Sequence, residues 1–157
     1  TSAANIADIK KKLTIQTIGH DKINQLRHVK FFKDLKGIQE HMMKQAALIR
    51  PKFEMVEKMF TEEIASRGIG SWMNPLGGYF ISFEALEGCA KKIVEKCKEA
   101  GVVLTGAGSP YPYKTDPKDS VIRIAPTYPS MDELKEAAKV FTVVVRLVSA
   151  DKLLETK

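Results

Sequence analysis

The apolar residues change period several times along the chain, and each change marks an element. Ile6, Ile9 and Leu13 share one side of residues 2–13 at helical spacing, which predicts a helix with Ser2 or Asn5 as its N-cap. Thr14 to Ile18 reads as extended and Gly19-His20-Asp21 as a turn; Ile23, Leu26 and Val29 then alternate with polar residues in a short helix or arm. From about Gln39 to Ser66, the positions Met42, Ala46, Ile49, Phe53, Val56, Phe60 and Ile64 recur at spacings of three and four, the stripe of a long amphipathic helix. Pro51 lies within it and should kink or divide it, because proline removes an intrahelical donor and crowds the preceding turn. Arg67-Gly68 supplies the stop.

Beyond the stop, GIGSWMNPLGGYFISF reads as two short strands around Asn74-Pro75-Leu76-Gly77-Gly78. Phe83 to Gly101 predicts a second helix with Leu86, Ala90, Ile93, Val94 and Cys97 inward, and Val102 to Leu104 a short buried strand. The stretch TGAGSPYPYKTDPKDS is too rich in Gly, Pro and Tyr for a regular element. Val121, Ile122, Ile124 and Ala125 compose a core strand ended by Pro126 and Pro129. Ser130 and Glu133 then form a capping box for a final helix, with Leu134, Ala138, Phe141, Val145 and Val148 inward. This order predicts an α/β layer architecture, an α+β small domain in which a small sheet is covered by helices and a long kinked helix leads in.

Composition narrows the class. The 157 residues, 44% hydrophobic and 28% charged, suffice for one ordinary core and an additional arm. No apolar run approaches the roughly 20 residues of a membrane span and no signal-peptide region opens the chain, so a cytoplasmic protein is expected. The formal charge of +6 raises the question of nucleic acid, yet only Lys10 to Lys12 cluster tightly, and elsewhere lysines alternate with acids as in EKCKEA and DELKEAAK. A solvated surface is the better reading. Cys89 and Cys97, eight apart on one predicted helix and so about 12 Å apart, read as buried free thiols. His20, His28 and His41 lack partners at metal-site spacing, and no metal is expected. Gly106-Ala107-Gly108 completes neither a GxGxxG nor a Walker pattern, which argues against a nucleotide loop.

The exceptional residue is Arg123. In a period-2 strand it shares a face with Val121 and Ala125 while Ile122 and Ile124 take the other, so its charge must reach solvent, a carboxylate or a ligand. A planar fork of donors matches a carboxylate bidentately; the plainer alternative is an arginine that reaches water or pairs with Asp119 or Glu133. Gly77 and Gly78 either satisfy turn geometry or let backbone approach a ligand. Lys22, Asn24, Gln25 and Arg27 form a dense polar group, either an exposed face or a contact surface.

Taken together, IGHDKINQLRHVKFF, KQAALIRPKFEMVE, NPLGGYFISF, VVLTGAGSPYPY and VIRIAPTYPS resemble the C-terminal portion of fold-type-I pyridoxal-phosphate aminotransferases, class I/II, in the aspartate-aminotransferase-like subgroup. The resemblance implies that residues 1–36 are the end of a cofactor-binding large domain with an interface arm, and that residues 37–157 are the small C-terminal domain. It implies that Arg123 grips the substrate α-carboxylate, that Gly77, Gly78 and Tyr79 line the substrate entrance, and that Lys22, Asn24, Gln25 and Arg27 lie near the neighbouring subunit of a homodimer. The substrates implied are an amino acid, aspartate among the candidates, and a 2-oxo acid; the cofactor is pyridoxal phosphate. The Schiff-base lysine of the family is expected upstream of this chain, since Lys10, Lys11 and Lys12 lack its Ser-Lys context. The chain therefore reads as a fragment without catalytic residues of its own, inactive without the missing N-terminal large domain. Many relatives carry Pro-x-Gly or Pro-Gly before an aromatic where this chain has Gly106-Ala107-Gly108 and then Ser109-Pro110-Tyr111, a departure that bears on side-chain specificity. The competing expectation is an aminotransferase-like ligand-sensing module of a transcriptional regulator, its DNA-binding domain N-terminal to this chain.

Overall fold

The computed structural model describes residues 2–17 and 19–155. The chain divides between Gln45 and Ala46 into two compact units.

In the first unit, Ser2 caps α1 (Ala3–Gln16), its hydroxyl accepting the Asn5 N–H at 3.2 Å. The helix continues through Thr14 to Gln16, where an extended segment was expected. Thr14 Oγ1 donates to the carbonyls of Lys10 at 2.6 Å and Lys11 at 3.0 Å, so this β-branched residue is accommodated by bonding to the preceding turn. Thr17 is extended, and Ile18 lies outside the described residues. Asp21 caps α2 (Lys22–Phe32), accepting the Asn24 N–H at 2.9 Å, which makes this segment a helix. None of the unit's described residues is buried, and Ile6, Ile9, Ile23, Leu26 and Val29 are all at least half exposed.

α3 (Leu35–Glu63) carries Pro51 inside it without being divided. In the second unit its stripe is buried at Val56 and Phe60 and continues to Ile64, before a 3₁₀ turn at Ala65–Arg67 and Gly68 in the left-handed conformation. β1 (Gly70–Trp72), β2 (Ile81–Ala85) and β3 (Val121–Ile124) form an antiparallel sheet in that order. α4 (Ala90–Glu99) lies between β2 and β3 in the chain, and α5 (Met131–Glu155) follows. Ile81, Phe83 and Ala85 are buried while Ser82 and Glu84 are exposed, so one face of β2 meets the core. There Phe60 lies 5.4 Å from each of Trp72, Phe83 and Phe141, and Phe83 meets Phe141 edge-on at 5.1 Å. No helix among the described residues is long and apolar enough to cross a membrane.

Two further segments, residues 83–89 and 102–104, differ from the sequence expectation. Phe83 to Ala85 belong to β2, because the alternation of Ile81-Ser82-Phe83-Glu84-Ala85 continues at period two. The helix begins only at Ala90, with Cys89 at its N-cap. Both thiols are nonetheless free and buried; burial raises the Cys89 pKa and pushes Cys97 up to about 11. Val102 to Leu104 is not a strand: Val102 and Leu104 pack against the core side by side with an exposed Val103, and no backbone ladder forms. A short apolar run records burial of alternate residues without specifying a pairing partner.

The turn that launches β3 is organised by Asp116. Its Oδ2 accepts the N–H groups of Ser120 and Val121, each at 2.8 Å, and its Oδ1 that of Lys118 at 3.0 Å. Burial opposes the charge, but the backbone donors of Val121, Ser120, Lys118 and Asp119 together outweigh it and hold the pKa below the ordinary value. A depressed folded-state pKa adds stability above the unfolded value near 4, and that stability is lost as pH falls through the folded pKa. Asp116→Asn removes an acceptor and turns an amide donor toward backbone donors, so it should cost about 1–3 kcal/mol in urea unfolding at pH 7. The difference from the parent should shrink as the pH is taken below about 4; a constant difference would show that the carboxylate charge is not what organises the turn.

Candidate functional site

β3 delivers Arg123 as its alternation requires: Ile122 and Ile124 are buried on one face, and Val121 and Arg123 are half-buried on the other. The antiparallel register sets Ser82 of β2 opposite Arg123. Phe80, two residues before Ser82, is therefore a diagonal neighbour on the same face. The guanidinium carbon stands 4.5 Å from the centroid of the Phe80 ring, a cation–π contact. Arg123 Nε is buried and has no protein acceptor.

Neither carboxylate proposed for an ordinary ion pair serves as one. Asp119 Oδ1 accepts the Lys91 N–H at 3.2 Å. Glu133 Oε2 accepts the Ser130 N–H at 2.8 Å while Ser130 Oγ accepts the Glu133 N–H at 3.3 Å, completing the capping box. Bonding from the Ser130 backbone and hydroxyl lowers the Glu133 pKa, with a further contribution from the charge of Lys52. Among the described residues Arg123 makes no ion pair. Among the described residues it is also the one charged residue lining a cavity of about 150 Å³, whose apolar walls include Val56, Phe60, Leu104, Pro129 and Leu134; Phe80, against which the guanidinium packs, does not line that cavity. A buried donor without an acceptor, in apolar surroundings, favours a small anionic group with two oxygens.

The connection between β1 and β2 holds the other sequence candidates. Gly78 adopts φ +90°, which only glycine takes without strain, so the turn needs it. Gly77 and Gly78 line a separate cavity of about 90 Å³ with Ile49, Arg50, Phe53 and Pro75. Tyr79 is exposed, and it is Phe80, which the sequence reading passed over, that touches Arg123. The signal that finds Phe80 is the strand register. In the following loop Gly108 has φ +80°, and a Cβ there would lie 2.3 Å from the Lys114 carbonyl oxygen, so this glycine serves close backbone packing.

Lys22, Asn24, Gln25 and Arg27 are all exposed on α2 in the first unit. Asn24 and Arg27 line a shallow hollow together with His28, Phe31, Phe32 and His41.

Comparison with known proteins bears on this geometry. The sequence profile of a family described as aspartate amino-transferase matches residues 1–157. A Mycolicibacterium smegmatis protein with a provisional aminotransferase description is 41% identical over 156 residues, covering 99% of this chain and 36% of that protein. An aspartate aminotransferase of Corynebacterium glutamicum is 40% identical over 151 residues, 96% of this chain and 35% of its own length. The chain thus spans just over a third of the curated relatives it matches. The crystal structure of an aspartate transaminase from Corynebacterium glutamicum superposes with a TM-score of 0.86 at 39% identity, over 97% of this chain and 36% of that one. An α-aminoadipate aminotransferase from Thermus thermophilus, complexed with N-(5'-phosphopyridoxyl)-L-leucine, shares the fold at a TM-score of 0.61 and 15% identity over 73% of this chain and 28% of its own.

Proposed function

The chain belongs to the aspartate aminotransferase family, and from that premise we propose that it provides the substrate-carboxylate anchor of a pyridoxal-phosphate-dependent enzyme moving an amino group between an amino acid, aspartate among them, and a 2-oxo acid. The observation that carries this reading is Arg123. It is a half-buried residue with an orphaned Nε, a ring beneath its guanidinium and, among the described residues, no carboxylate bound to it.

A bidentate pair between the guanidinium and an α-carboxylate fixes two points of the amino acid and so orients its Cα–H bond for proton removal. Phe80 limits the plane in which the guanidinium can lie, which reduces the freedom lost on binding.

Pyridoxal phosphate, when bound, supplies the electron sink that acidifies the Cα–H bond. The cavity beside Arg123 suits a carboxylate and not that cofactor: among the described residues its walls carry no lysine to bond an aldehyde and no second cation for a phosphate. In this reading the cofactor and its lysine belong to a larger cofactor-binding domain. Residues 1–36 form the end of that domain and residues 37–157 the small domain that closes on substrate. Lys22, Asn24, Gln25 and Arg27 face the second subunit of a homodimer, and Gly77, Gly78 and Tyr79 border the entrance. By itself the chain binds and orients but does not transaminate.

In the full-length enzyme, Arg123→Ala should reduce kcat/KM for the amino acid by about 100-fold or more, as expected for loss of a buried charge-assisted pair, and leave cofactor binding intact. Unchanged kinetics would remove Arg123 from the site. Phe80→Leu should have a smaller effect, about 3- to 30-fold on the same ratio, matching loss of a cation–π contact.

A further inference from the structure

One side chain of α3, that of Lys52, hydrogen-bonds to the segment that follows Arg123. Lys52 Nζ donates to the carbonyl of Thr127 at 2.8 Å and to that of Pro129 at 2.5 Å, across more than seventy residues of sequence. β3 is an edge strand paired only with β2, so its outer side receives no ladder. Pro126 and Pro129 have no N–H to donate, so the strand exit is secured largely through its carbonyl oxygens. Lys52 takes two of these. Val56, one turn further along α3, lines the same cavity as Pro129 and Arg123.

We infer that Lys52 is a positioning residue for carboxylate binding: it fixes the exit of β3 against α3 and thereby keeps the Arg123 guanidinium over Phe80. This inference rests on the assignment of Arg123 as the carboxylate anchor. Lys52 touches no substrate in this role; it acts through the backbone of residues 127–129. Its ammonium also lies near enough to Glu133 to lower that pKa, which links the strand exit to the capped start of α5.

The test uses the full-length holoenzyme. Lys52→Met should raise KM for the amino acid about tenfold with kcat held within about twofold, below the cost that a misplacement of about 1 Å can reach. Lys52→Arg, which keeps a cation able to bond both carbonyls, should recover most of the loss. Lys58→Met, removing an exposed cation from the same helix, should leave KM unchanged. In an Arg123→Ala background, adding Lys52→Met should change KM no further, because the route through Arg123 is already gone. A KM for Lys52→Met within twofold of the parent overturns the inference, as does an undiminished Lys52→Met effect in the Arg123→Ala background. If Arg123→Ala itself leaves KM unchanged, the anchor assignment fails first. If Arg123→Ala raises KM and Lys52→Met does not, only the positioning role fails.

Discussion

Phe60, Phe83 and Phe141 come from α3, β2 and α5, and their mutual packing is the constraint on which the second unit depends. Each ring alone contributes area; together they fix which face of the sheet turns inward. With Phe83 on the core face, Ser82 must point away, and the register then puts Arg123 on the side opposite the core. The charge at residue 123 is tolerated because the aromatic packing has already chosen the other face for burial. Moving β2 by one residue would carry Phe83 out and bring the whole polar set in, Arg123's partner with it.

Much of this is written in local pattern. The stripe of α3 from Val56 to Ile64, the inward set of α5, the alternation around Arg123 and the Ser130–Glu133 box follow from residue spacing alone, because each depends on neighbours within a few positions. Likewise the resemblance drawn from the chain's segments agrees with the family match and with the mixed helix and antiparallel-sheet fold. What escaped the sequence depends on distant pieces. Phe80 meets Arg123 through the pairing of two strands, Lys52 finds carbonyls on a remote segment, and Asp116 becomes an organiser only once its turn has closed. Residues 102–104 show the converse, since an apolar triplet packed on a core without a ladder is indistinguishable in sequence from a buried strand.

Asp116, Glu133 and Ser130 accept backbone N–H groups and hold turns and helix ends. Arg123 is not saturated, and among the described residues it alone of the charged ones borders the apolar cavity. Glu57 Oε1 and the hydroxyls of Ser109, Ser120 and Ser149 are likewise buried without a partner, so Arg123 is set apart by its charge and its ring contact and not by an orphaned atom alone.

The pairing of β2 with β3 has a further consequence for how the chain reaches this state. Partners such as Ile81 and Ile124 lie roughly forty residues apart, with α4 and an irregular loop between them. Closing this ladder joins segments distant in sequence, and non-local closure of this kind slows folding. Until it closes, Arg123 has neither its ring nor its cavity wall. The contact of Arg123 with Phe80 thus depends on a pairing that only the closed sheet supplies.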